Sequence, residues 1–144
     1  MKKNSGLRFF IPKKETGLDA ILINTGISAG FPSPAGDYKQ ERISLDKELI
    51  KNQEATFFAR VSGESMVNAG LEDGDLIIID RSIEPSNNKI AVCYIDGEFT
   101  VKRLRVKKGK IWLQPENSKY QPIEIKEDNE LIIWGIVTNV VKKL

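Results

Sequence analysis

The 144-residue chain contains no histidine and a single cysteine, Cys93. Without histidine a Ser-His-Asp triad is impossible, and with one cysteine beside that absence a zinc site of ordinary composition is excluded too. The lone cysteine also rules out an internal disulfide framework. Its place in the apolar run "IAVCYI" marks it as a small buried thiol. No metal and no cofactor are expected.

Long apolar runs are missing as well. No stretch reaches the roughly 20 residues of a membrane span. "MKKNSGLRFFIPKK" opens with positive charge, but Arg8 and Pro12 break its apolar run. "LDAILINTGISAG" offers only Ala20–Ile23 as an uninterrupted core, against the roughly 7–15 residues of a secretory signal. The sequence therefore reads as a soluble, cytoplasmic protein. An excess of either charge is lacking: the formal net charge is +2, too small to announce a nucleic-acid binder. Residues 1–29 carry five basic and two acidic residues, which leaves 17 basic and 18 acidic residues for 30–144. A basic arm is thus attached to a nearly neutral body.

The body is large enough for one domain with its own core, at 40% apolar residues overall. The first forty residues, rich in Gly and Pro, show no sustained periodicity and read as an extended arm. Within it "GFPSPAGDY" is expected to be extended, because each proline turns its predecessor away from helix. "SLDKELIKN" (44–52) is the one helix candidate, with Ser44 placed to cap it and Leu45, Leu49 and Ile50 forming an apolar stripe. Strand patterns follow in "TFFARVS", "DLIIID", "KIAVCYI", "EFTVKRLRV", "KIWLQP", "PIEI" and "ELIIWGIVTNVV". Asp96-Gly97 between two of them is a hairpin signal. Short strands joined by tight turns, without interleaved helices, predict a mainly β domain with one short helix.

Between two strand runs lies a polar loop, "SGESM", that presents Ser65. A serine nucleophile needs a base, and without histidine a lysine partly screened from water is a candidate. On the hairpin strand, Thr100, Lys102 and Leu104 share one side. Apolar surroundings disfavour the ammonium and lower a lysine's pKa, and Thr100 could hold the amine in place. Backbone N–H groups of Ser65 and Met66 are candidate oxyanion donors beside the Gly63 turn. From residue types alone, however, a turn serine and a strand lysine are far more often unrelated.

The motifs "SGESM", "GLEDGDLIIID" and "GEFTVKRL" resemble the self-cleaving Ser-Lys peptidases of the SOS response, the LexA/UmuD family. Further matches to its UmuD-type branch, "AGFPSPAGDY", "RISLDKELI", "QPENSKYQPIEI" and "WGIVTNVVK", run in the same order over residues 29–144. The resemblance implies curved antiparallel sheets of the LexA/UmuD C-terminal-domain type, with Ser65 as nucleophile and Lys102 as general base. It implies self-cleavage between Ala29 and Gly30, dividing the chain into an arm (1–29) and a mature β-rich domain (30–144). The implied partners are a second copy of the chain, a RecA filament on single-stranded DNA, and a UmuC-like Y-family DNA polymerase. Sequence-specific nucleic-acid binding and a membrane anchor are not implied.

Two other readings stand beside this one. The first is a phage or LexA-like repressor fragment, although the arm is too short for a helix-turn-helix domain. The second is a non-catalytic β scaffold that only binds protein partners.

Overall fold

The computed structural model describes residues 7–13, 20–23, 29–30 and 40–144. Apart from Gly30, the stretch expected to be extended ("GFPSPAGDY") lies outside the described residues. The chain divides into two units, Met1–Pro12 with Asn52–Leu144, and Lys13–Lys51.

The smaller unit holds β2 (Ala20–Ile23) paired antiparallel with β3 (Gln40–Ile43), followed by α1 (Leu45–Leu49). The helix is shorter than the 44–52 expected. Ser44 does sit at its N-cap, but its hydroxyl makes no capping hydrogen bond. The apolar stripe is not buried either: no residue of the helix is, and Leu45 is 61% exposed.

The larger unit is mainly β, as expected. It comprises β1 (Leu7–Phe10), β4 (Thr56–Val61), β5 (Leu76–Asp80), β6 (Ile90–Ile95), β7 (Glu98–Lys107), β8 (Lys110–Gln114), β9 (Ile123–Glu124) and β10 (Leu131–Val141). These form one curled eight-stranded sheet in the order β1-β4-β5-β10-β6-β7-β8-β9, every neighbouring pair antiparallel. Runs rich in Ile and Val explain β5, β6 and β10, since branched side chains suit a pleated, buried surface. The turn between β6 and β7 is Asp96-Gly97, with φ of 47° and 88°, the left-handed pair that matches the twist of a two-residue hairpin.

Alternation along the central strands divides the core in two. Val92 and Val101 join Ala59, Val61, Met66, Leu71, Ile77 and Ile79 in one cluster. Ala91 and Cys93 join Leu104, Leu113 and Ile136 in the other. Each fully buried Ile or Leu contributes roughly 1.5–3 kcal/mol. Cys93 is fully buried, as its setting predicts.

Two features depart from simple alternation. In β10 the register shifts between Ile133 and Gly135 against β6, and between Val137 and Asn139 against β5. These bulges re-aim a strand whose two faces are both apolar in sequence, and Ile132 is left 57% exposed. The second departure is β1. Its four residues pair with β4 from Leu7↔Val61 to Phe10↔Phe58, although the sequence read as an arm without periodicity. Phe9 packs edge-on or tilted against Phe99 and Trp134, at 5.0 and 4.8 Å between ring centroids. Trp134 also meets Phe57 and lies beneath the Arg81 guanidinium. Among the described residues, no helix is long and apolar enough to cross a membrane.

Candidate active site

β4 delivers the chain into the loop 62–75, which carries Ser65, and β5 takes it back. Backbone bonds close the base of this loop: Val61 N–H donates to Asp75 C=O and Gly74 N–H to Val61 C=O, both at 2.8 Å. Gly63, at φ 93°, makes the turn that L side chains resist, and its N–H donates to Asp73 Oδ1 at 2.9 Å. Met66 and Leu71, each 3% exposed, sink the loop into the core. Ser65 is left half-buried at the edge of a small open cleft walled by Leu7, Val61, Met66, Leu71 and Val101, with Thr100 at its side.

Lys102 reaches the same place from β7. Its backbone lies opposite Ala91, and Thr100 lies opposite Cys93, so the lysine runs along a face of small buried residues. Its amine nitrogen stands 3.1 Å from Ser65 Oγ, 2.6 Å from Thr100 Oγ1 and 3.1 Å from Val101 C=O. The residue is 8% exposed, and among the described residues no carboxylate forms an ion pair with it. Burial therefore pushes the Lys102 pKa down, and the Cys93 thiol lies nearby. That thiol is itself pushed up to about 12 by burial, so it stays neutral.

Three partners suit the neutral amine. With two N–H donors and one lone pair, it can donate to Thr100 Oγ1 and Val101 C=O while accepting the Ser65 hydroxyl proton. The expected approach of Ser65 to a buried Lys102, with Thr100 holding the amine, is thus present in the geometry. Among the described hydrogen bonds, the Ser65 and Met66 N–H groups have no protein acceptor. Ala29 and Gly30, the expected scissile pair, are exposed residues of the smaller unit.

Residues 21–138 match the family described as peptidase S24-like. The chain belongs to that family. Among its relatives, protein MucA of Salmonella typhimurium is 43% identical over 114 residues, covering 78% of this chain and 77% of MucA. Protein SamA of Salmonella typhimurium is 44% identical over 124 residues, 86% of each chain. The LexA repressor of Frankia alni is 39% identical over 118 residues, or 82% of this chain but 45% of that repressor.

Several side chains that shape the site escape a sequence reading. Asp75 accepts the Glu72 N–H at 2.8 Å and pairs with Lys142 beyond the end of β10; Lys142 also reaches Glu72 at 3.1 Å. Burial alone would raise the Asp75 pKa, but the Lys142 ammonium and the Glu72 N–H outweigh it and hold the carboxyl below its ordinary value. On the opposite side, Asn117 and Glu116 contact the Ser65 loop. The run "QPENSKYQPIEI" contains both, yet neither periodicity nor composition distinguishes them.

Proposed function

We propose that the protein is a self-cleaving Ser-Lys peptidase of the SOS-mutagenesis type, cutting its own chain between Ala29 and Gly30. The observation that carries this reading is the 3.1 Å approach of Lys102 Nζ to Ser65 Oγ at a buried lysine that has no paired carboxylate among the described residues. Membership of the peptidase S24-like family and likeness to MucA and SamA support it.

The chemistry follows from the groups present. Ser65 Oγ attacks the Ala29 carbonyl carbon while its proton passes to the neutral Lys102 amine. The negative charge on the carbonyl oxygen meets backbone N–H donors, for which Ser65 and Met66 are the candidates. Collapse breaks the bond from Ala29 carbon to Gly30 nitrogen, and Lys102 returns the proton to that nitrogen. The resulting Ala29 ester on Ser65 is hydrolysed by water, whose proton Lys102 takes in turn, regenerating the serine hydroxyl. Thr100 Oγ1 keeps the amine aimed throughout. A small side chain at Ala29 and the absent Cβ at Gly30 let the backbone approach the nucleophile closely.

In this reading a RecA filament on single-stranded DNA stimulates the cut. The product, residues 30–144, pairs with a second copy and joins a UmuC-like Y-family polymerase as accessory subunit in error-prone translesion synthesis. Its near-neutral charge suits protein contacts better than a grip on phosphates. The test is to incubate the purified protein at alkaline pH and weigh the products. Fragments 1–29 and 30–144, missing in Ser65→Ala and Lys102→Ala, are expected. An uncut chain at every pH, with and without RecA filament, would leave a non-catalytic scaffold.

A further inference from the structure

Two consecutive residues after β8 join the two banks of the site. Asn117 Nδ2 donates to the Glu64 C=O at 2.7 Å. The Glu116 C=O accepts the Asn68 N–H at 2.8 Å, and the Glu116 N–H lies 3.4 Å from Met66 Sδ. The Glu116 carboxylate pairs with Arg103, the next residue after Lys102 on β7. Residues 64, 66 and 68 are thus tied on one bank and residue 103 on the other. Among the described hydrogen bonds, none joins Glu116 or Asn117 to Ser65 or Lys102 themselves.

We propose that Asn117 and Glu116 are positioning residues for the Ser-Lys pair, fixing the direction of the Ser65 N–H and the separation of Ser65 Oγ from Lys102 Nζ. The proposal rests on the peptidase reading above for its catalytic meaning. Across a trans peptide, the C=O of one residue and the N–H of the next lie in one plane and point opposite ways. Holding the Glu64 carbonyl therefore holds the Ser65 N–H, a candidate oxyanion donor. The Val67 N–H meets the same carbonyl at a longer 3.3 Å, so Asn117 supplies the shorter restraint. The orientation of the Asn117 amide is itself set, because its Oδ1 accepts the Lys119 N–H at 3.0 Å and leaves Nδ2 for Glu64. On the other bank, the Glu116 pair with Arg103 fastens the same turn to the strand that bears the base.

The experiment compares Asn117→Asp and Glu116→Ala with the parent in the full-length chain. Asn117→Asp keeps the size and the acceptor for Lys119 but loses the donor to Glu64. Glu116→Ala keeps the backbone bonds and loses the carboxylate. Two readouts are taken on nitrogen-15-labelled protein: the Ser65 amide and Lys102 amine resonances, and the self-cleavage rate on the high-pH plateau. At the plateau Lys102 is neutral in every variant, so charge effects on its pKa drop out. Both resonances are expected to move although neither group touches the substituted residue, and the plateau rate of Asn117→Asp to fall about 10–100-fold. Thermal melts establish that the variants remain folded; should Asn117→Asp fail to fold, Glu116→Ala carries the same measurement. Unmoved resonances, or a rate that falls only in step with the unfolded fraction, overturn the proposal. A parent that never cleaves sinks the peptidase reading instead, while the resonances still decide the positioning.

Discussion

Thr100 Oγ1 stands 2.6 Å from the Lys102 amine, nearer than either of that amine's other two partners. It is two residues away on the same strand, so its position is set by the strand itself. Thr100→Val keeps the branched shape and removes only the hydroxyl. The amine then loses one acceptor, a contact worth about 1 kcal/mol, and is freer to turn from Ser65. Self-cleavage on the high-pH plateau is expected to slow roughly 5- to 10-fold, with melting temperature little changed. An unchanged rate would show that Val101 C=O alone suffices to aim the amine.

The pH profile follows from the depressed Lys102 pKa. If Lys102 is the base, as proposed, cleavage needs the neutral amine, so its rate should rise with pH through that pKa and level off before the ordinary value of 10.5. Lys102→Arg should abolish the reaction, because guanidinium stays protonated over this range. Rates of full-length protein from pH 6 to pH 11 check both, and a flat profile would assign the proton to another group.

The same group shapes stability, with a definite sign. Between its lowered folded pKa and 10.5 the unfolded chain binds the proton that the folded chain releases, so stability gained from this residue rises with pH. Below 10.5 the residue is therefore a cost to the fold. Lys102→Met should therefore stabilise the fold at pH 7, and its advantage should shrink as pH approaches 10.5. Urea unfolding at pH 7 and pH 10 measures the difference; a destabilised Lys102→Met at pH 7 contradicts the argument.

Asp75 shares that pH dependence but, unlike Lys102, adds stability at neutral pH. Its carboxyl is held below the ordinary 3.8, so the stability it confers is present above that value and disappears as pH falls through the folded pKa. Lys142→Ala removes the ammonium and should raise the Asp75 pKa, lower the melting temperature at pH 7, and flatten the acid limb of the stability curve. Carbonyl carbon-13 titration of Asp75 in parent and variant reads the shift directly.

Gly135 has no room for a side chain. A Cβ there would stand 2.5 Å from Ile79 Cγ2 and 3.2 Å from Arg81 Cγ. Arg81 can swing away, but Ile79 is fully buried. Gly135→Ala should destabilise the fold by about 1–3 kcal/mol, seen as a lower urea midpoint. A neutral substitution would mean that β10 slides at its bulge.

The strands from β4 to β10 were legible because branched residues and turn pairs such as Asp96-Gly97 act locally. The Ser-Lys pair was legible for a different reason: a chain without histidine leaves few bases for a serine, and the motifs around Ser65 and Lys102 resemble a family that uses them. What stayed hidden depends on partners far along the chain. Asn117 acts on a carbonyl 53 residues away, and Lys142 on a carboxylate 67 residues away, so neither leaves a periodic trace. β1 was hidden because four residues with an arginine among them carry too little pattern, and its reason to be a strand is Phe9 fitting between Phe99 and Trp134. Ser44 shows the converse error, a favourable cap residue in position whose side chain makes no cap.

β1 belongs to the segment that a cut after Ala29 would sever. While the chain is continuous, the β1 and β4 ladder forms within one molecule, and its four pairs act at an effective concentration of order millimolar. After the cut the same four pairs would join two separate molecules, and dilution alone would favour their parting. The departure would take Phe9 from the side of Trp134 and bare the β4 edge, whose N–H and C=O groups would then seek a new neighbour. In this way the tether, more than the contacts it brings together, decides how long the sheet keeps its eighth strand.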